Sequence, residues 1–212
     1  MSISARSHST LPTVADANGL DLTSLPVLSI SHAPWQTGYD PHATAQAAWI
    51  PGQGLWVRLA CNEPDPFAQE TEPDTSVWMD SCLECFINFR PMESGTGYLN
   101  FEVNANGAML AGYGTERHGR VFLRSIGLNQ PDVTLHKGPE GWSASFLIGT
   151  DLIRRFYGMD ELKPGDEVAA NFYKCGSRTP VEHYLCWSPI ETPHPDFHRP
   201  EWFGTLTVAS QP

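Results

Sequence analysis

Apolar and polar residues alternate along this chain more often than they recur at helical spacing, and the alternation is cleanest in two segments. Over residues 79–89, Leu83, Cys85, Ile87 and Phe89 fall on one side, and Asp80, Cys82, Glu84, Phe86 and Asn88 on the other. Over residues 98–105, Leu99, Phe101 and Val103 oppose Tyr98, Asn100, Glu102 and Asn104. Each segment predicts a strand with one apolar face. Asn106-Gly107 then predicts a tight hairpin, because both residue types tolerate positive φ. Shorter runs predict strands at 43–49 and 55–61, joined across Pro51-Gly52-Gln53-Gly54. Others are expected at 120–126, 133–136, 142–148, 167–174, 181–187 and 204–208. One helix is predicted, capped by Thr150, striped by Leu152, Ile153, Phe156 and Tyr157, and ended by Gly158.

Many short strands between frequent turns predict an all-β fold: a β-sandwich of the jelly-roll kind with one short helix. The composition agrees, with 18 Gly, 18 Pro and only 17% charged residues. A chain of 212 residues is long enough for one full core. Residues 1–24, rich in small polar types and without an apolar block, read as a flexible N-terminal segment, and residues 25–212 as a single domain. The first twenty residues do not read as a signal peptide, so a cytoplasmic location is expected, with export through a trimmed signal as the alternative.

Charge narrows the partners. With 24 acidic against 13 basic residues the formal charge is −11, which argues against nucleic acid or an anionic membrane as a partner. Neutral sugars and cations remain. Five cysteines, an odd number without scaffold spacing, fit a reducing compartment better than a disulfide framework. Cys82-Leu-Glu-Cys85 has the spacing of a redox or zinc motif. On a strand, however, residues three apart point to opposite faces, so the two thiols diverge.

The polar sides of the two clear strands carry the candidate chemistry. Glu84, Asn100, Glu102 and Asn104 can line one wall, extended by Asn171 and Tyr173. Rows of carboxylates and carboxamides supply both acceptors and donors, which suits sugar hydroxyls; for any one of them the plainer reading is a solvated outer face. Residues 193–205 add a loop whose prolines at 193, 195 and 200 exclude a helix, yet which carries His194, Phe197, His198, Trp202 and Phe203. A rigid aromatic loop suits stacking on a flat ligand.

Taken together, Asp80-Ser-Cys-Leu-Glu-Cys-Phe, Asn100-Phe-Glu-Val-Asn, Asn171-Phe-Tyr-Lys and the 193–205 loop resemble the family 9 carbohydrate-binding modules, over roughly residues 43–208. The resemblance implies a β-sandwich that binds a mono- or oligosaccharide without transforming it. In that family two tryptophans clamp the terminal sugar. Phe197 stands at the second of these positions. Trp78 approximates the first, one residue from the strict register, which falls on Val77. The family's strand glutamate falls on Glu84, its arginine on Glu102 with reversed charge, a glutamine on Tyr173, and the asparagine before the second clamp on His194. With Asn100 added from the polar face, the expected ligand-binding set is Trp78, Glu84, Asn100, Glu102, Tyr173, His194 and Phe197. No cofactor is expected beyond a structural calcium, which the resemblance admits and for which Glu63, Asp65, Glu70, Glu72 and Asp74 offer oxygen donors. Two other classes compete. Glu84 and Glu102, if directly opposed across neighbouring strands, would sit about 5 Å apart, near the carboxyl separation of a retaining glycoside hydrolase. A haem carrier would need axial ligands from Met79, Met92 or Met109 with a histidine.

If 79–89 is a strand, Cys82 and Cys85 cannot share a bond or an ion. Peptide mapping of the unreduced protein should find no Cys82–Cys85 disulfide, and metal analysis should find no zinc that is lost in Cys85→Ala; either finding would refute the strand at 79–89.

Overall fold

In the computed structural model, which describes residues 5–17, 20–35 and 38–210, the period-two alternation becomes two sheets packed face to face. In chain order the strands are β1 (His8–Leu11), β2 (Leu28–Ile30), β3 (Ala43–Ile50), β4 (Gly54–Cys61), β5 (Cys82–Asn88), β6 (Tyr98–Asn104) and β7 (Met109–Gly114). There follow β8 (Val121–Phe122), β9 (Thr134–Gly138), β10 (Gly141–Gly149), β11 (Glu167–Gly176), β12 (His183–Cys186) and β13 (Gly204–Val208), with a helix α1 (Thr150–Tyr157) between β10 and β11. The larger sheet runs β1-β13-β11-β5-β6-β7-β8, and β12 pairs with the second half of β11. The smaller sheet runs β2-β3-β4-β10-β9. The described residues form an all-β sandwich with one short helix, as the alternation predicts.

The core lies between the sheets. Leu83, Cys85, Ile87, Leu99, Phe101, Val103 and Phe172 from the larger sheet meet Trp49, Val57, Leu59 and Phe146 from the smaller. Each of the larger apolar side chains, fully buried, stabilises the fold by about 1.5–3 kcal/mol. The opposite face of β5, β6 and β11 is buried as well. It carries a second apolar cluster that includes Val77, Phe86, Tyr98, Tyr173, Phe197 and Phe203. The predicted outer face is therefore an interior, covered by loops.

Several elements depart from the sequence expectation. Residues 8–11 belong to the sheet and are not a flexible tail. β1 pairs in parallel with β13, and Leu11 is only 1% exposed. The partner lies almost two hundred residues away, so no local pattern announces the pairing. The strand expected to begin at 79 begins at Cys82, because Val77–Met79 forms a 3-10 turn. The strand expected over 120–126 shortens to Val121–Phe122 before another 3-10 turn that Gly127 ends in left-handed geometry, φ 75°. That expected over 181–187 shortens to His183–Cys186. Asn106-Gly107 does turn the chain, but only Gly107 takes positive φ, and the N–H of Gly107 reaches the Asn104 carbonyl in a three-residue loop. The cap of α1 is Gly149 rather than Thr150. β2 and β7 have no counterpart among the expected strands. β7 contains two glycines, and a Cβ at Gly112 would crowd the Asn100 carboxamide oxygen at 3.2 Å.

At one end of the sandwich the inward face of β11 carries a charge. Lys174 is fully buried, and its ammonium reaches Glu63 Oε2 at 3.4 Å, Ser81 Oγ at 3.1 Å, the Cys175 carbonyl at 3.0 Å and His183 Nε2 at 2.6 Å. An ammonium only donates, so Nε2 accepts and His183 Nδ1 carries the proton, donated to the Val181 carbonyl at 2.8 Å. Burial opposes charge on Glu63, but Lys174, Ser81 and Trp142 outweigh it and hold the carboxyl below its usual range. Removing one partner of such a pair leaves the other buried and uncompensated. Lys174→Met should therefore lower unfolding free energy by about 3 kcal/mol or more in urea titrations, and adding Glu63→Gln should recover part of that loss. A variant as stable as the wild type would show that the pair is dispensable.

Candidate functional site

A cavity of about 360 Å³ opens on the outer face of the larger sheet, between that face and the loops at 115–120 and 193–203. Its floor comes from β5 and β6. Glu84 and Glu102 are direct antiparallel partners, so both carboxyls rise from the same pleat, and Asn100, two residues from Glu102, stands beside them. Trp78, Glu84, Asn100, Glu102 and Phe197 of the expected set all line this cavity.

The 3-10 turn resolves the register of the first aromatic position. It sends Val77, fully buried, into the apolar cluster and leaves Trp78 half-buried at the cavity wall. The Ser177 hydroxyl fixes the turn through the Trp78 carbonyl at 3.2 Å. Phe197 enters from the opposite side. Its ring stacks on Tyr173 with centroids 4.1 Å apart and planes 12° from parallel, and it is only 8% exposed.

Two expected contacts are corrected. Tyr173 does not line the cavity: it is wholly buried beneath Phe197, and its hydroxyl donates to the Phe197 carbonyl at 3.1 Å. It supports the stacking ring from below. His194 is exposed and lies outside the lining, although its neighbour Pro195 belongs to it. His198 takes the place at the cavity, sharing a hydrogen bond of 2.8 Å with the Tyr98 hydroxyl and lying over Phe86 at 4.8 Å. Of the other polar-face residues, Asp80 accepts from the backbone N–H groups of Gln69 and Glu70 and from Asn104, which ties the 64–74 loop to β6. Asn171 is likewise spent on Ser188.

Sequence reasoning missed the cationic wall. Arg117, His118 and Arg120 reach the cavity from the loop before β8; Arg120 opens the run expected as a strand, and nothing in the pattern marks any of the three as facing a site. Arg120 lies over the Tyr98 ring at 4.3 Å and donates to Asn100 Oδ1 through Nε at 2.9 Å and Nη2 at 2.7 Å. That fixes the amide, whose Nδ2 donates to Glu102 Oε1 at 2.9 Å. Arg117 spans the cavity mouth to Asp196 at 3.4 Å.

The floor carboxyls resist ionisation. Burial raises Glu84 well above its ordinary value, with Cys175 and Glu102 adding to the effect, and burial pushes Glu102 up to about 7 against the hydrogen bond from Asn100 and the nearby arginines. Burial also lowers His198 to about 3, assisted by Arg120, Arg117 and His118. A floor held near neutrality offers carboxyl O–H donors beside carbonyl acceptors, which is suited to an uncharged polyol.

The acidic loop disperses its oxygens. Glu63 turns inward to Lys174, and Asp74 accepts from Gln130 at 2.5 Å. Among the described residues, the loop carboxylates form no group of three converging ligand atoms. Met109 lies in the inter-sheet core and Met92 is exposed, so neither reaches the cavity as an axial ligand.

A family model described as carbohydrate-binding family 9 matches residues 15–208. A candidate carbohydrate-binding protein from Bacteroides uniformis shares the fold with a TM-score of 0.79 at 23% identity, over 96% of this chain and 100% of that one. A family 9 module from Caldicellulosiruptor kristjanssonii, solved with cellotriose, has a TM-score of 0.63 at 11% identity, covering 97% and 95% of the two chains. Its complex with glucose gives 0.60 at 10% identity, covering 97% and 96%. No curated protein matches the chain significantly.

The raised Glu102 makes a signed prediction. A carboxyl with a raised folded pKa contributes stability below its ordinary 4.5 and loses that contribution as pH rises through about 7. His183 and His198, lowered to about 4 and about 3, act in the opposite sense as pH falls from 6.5. Comparison with Glu102→Gln, which keeps the acceptor for Asn100, isolates the carboxyl. The variant should match the wild type in urea near pH 4.5 and exceed it by about pH 8. A difference that does not change with pH would contradict the raised value.

Proposed function

We propose that this chain, which belongs to carbohydrate-binding family 9, binds an uncharged mono- or oligosaccharide in the cavity above β5 and β6 and releases it unchanged. One observation carries the reading: a floor of Glu84, Asn100 and Glu102 shares one cavity with Trp78 and Phe197. The floor groups orient hydroxyls, and the aromatic rings cover the apolar C–H faces of the pyranose. Because Tyr173, Trp35 and Tyr184 already hold Phe197, little ordering entropy opposes stacking on it. The ligands of the Caldicellulosiruptor complexes, glucose and cellotriose, are of the class such a cavity accepts.

Hydrolysis by the same carboxyls is disfavoured by their electrostatics. A retaining glycosidase needs one carboxyl ionised as nucleophile while the other stays protonated. Here burial works against ionisation of both, and Arg120, the guanidinium nearest the floor amide, is engaged by Asn100 and the Tyr98 carbonyl.

Calorimetric titration with glucose and cello-oligosaccharides tests the reading. Saturable binding should fall about tenfold, or about 1.4 kcal/mol, in Trp78→Ala, whose half-buried ring supports little of the fold. Glu84→Gln should lose less, since the amide keeps an acceptor. Phe197→Ala should lose binding together with some stability, because its ring packs on Tyr173. Failure to bind any neutral sugar, or turnover of aryl glycosides abolished by Glu84→Gln, would overturn the proposal.

A further inference from the structure

Beneath the cavity two cysteines, whose sulfurs sugar recognition does not require, gather around the floor carboxyl of Glu84. Cys82 and Glu84, two apart on β5, point to the same face, and Cys175 on β11 is the direct antiparallel partner of Cys82. The two sulfurs and a Glu84 carboxylate oxygen lie within 4.8 Å of one another, and Cys175 Sγ donates to Glu84 Oε1 at 2.9 Å. All three side chains are buried. Cys85, the other cysteine of the motif, faces the inter-sheet core, so strand parity pairs Cys82 with Cys175 instead.

We infer that Cys82, Glu84 and Cys175 form a binding site for a thiophilic divalent cation of the zinc class. Two thiolates and one carboxylate are a ligand set that zinc accepts, at about 2.3 Å to sulfur and about 2.0 Å to oxygen. Adjacent strands of a sheet fix the ligand positions without help from any mobile loop. Glu84 and Cys175 line the cavity while Cys82 does not, so an ion at this site has an entry route from the cavity, and a fourth position remains for water or a ligand oxygen. The charge also balances. Two thiols and a carboxyl release their protons to solvent as the ion binds, and three negative ligands around a double positive charge leave a single negative charge. Arg117 at the cavity wall, which already acts electrostatically on Glu84, opposes that remainder. Lys174, the neighbour of Cys175, points to the opposite face and does not compete for the site.

The inference does not depend on sugar binding. Reduced, metal-free protein titrated with cobalt(II) should develop a sulfur-to-cobalt charge-transfer band that saturates at one equivalent and is displaced by zinc. Cys82→Ala and Cys175→Ala should each lose that band, whereas Cys85→Ala and Cys186→Ala should keep it, with circular dichroism reporting that each is folded. X-ray absorption of the zinc-loaded wild type needs no variant and should read two sulfur neighbours with the remainder oxygen. No band, a band that survives loss of Cys82 and Cys175, or a sulfur count other than two would overturn the site. Glucose titration of the metal-free protein is run apart, so a sugar that fails to bind counts against the proposed function and leaves the metal result standing.

Discussion

The architecture depends on one constraint: the central strands of the larger sheet must be buried on both faces. β5, β6 and β11 present apolar side chains to the smaller sheet and a mixed face to the loops, and nearly every residue on either side is buried. A sheet with one wet face could carry its polar residues at no cost. Here Glu84, Asn100, Glu102 and Asn104 are withdrawn from water, so each must find a partner or open onto a cavity. The covering loops provide both. The 64–74 loop is tied to Asp80 and Asn104, and the 193–203 loop lays Phe197 on Tyr173.

That burial creates the chemical character of the site. On the cavity side, among the described residues, no cation forms an ion pair with the floor carboxyls. The nearby guanidinium of Arg120 is engaged by Asn100 and by backbone carbonyls, and its plane lies on Tyr98. The floor is thus pushed towards a neutral state. On the inward side of β11 the reverse holds: Lys174 meets Glu63 directly and keeps it charged. The side chains of neighbouring residues 174 and 175 therefore occupy opposite electrostatic environments, because a strand sends successive side chains to opposite faces.

The position of the aromatic walls follows from loops whose conformation the sheet does not impose. A single 3-10 turn decides that Trp78 rather than Val77 faces the cavity. In the 193–203 loop His194 faces solvent while His198, four residues on, packs over Phe86. The ring clamp and the polar floor consequently have different origins. The floor is a property of strand register, whereas the clamp belongs to two loops brought together from distant parts of the chain.

What the sequence by itself determined was whatever depends on a period of two. The faces of β5, β6 and β11, the core residues they carry, the divergence of Cys82 and Cys85, and the convergence of Glu84, Asn100 and Glu102 all follow from alternation. Tertiary structure decided what covers those faces. It bound residues 8–11 to β13, spent Tyr173 on Phe197, drew Arg117 and Arg120 to the cavity, and turned Glu63 inward to Lys174. The physical reason is range. Side-chain direction along a strand is local and repeats every second residue, whereas burial, charge pairing and the partner of an edge strand depend on segments far apart in the chain and close only after folding.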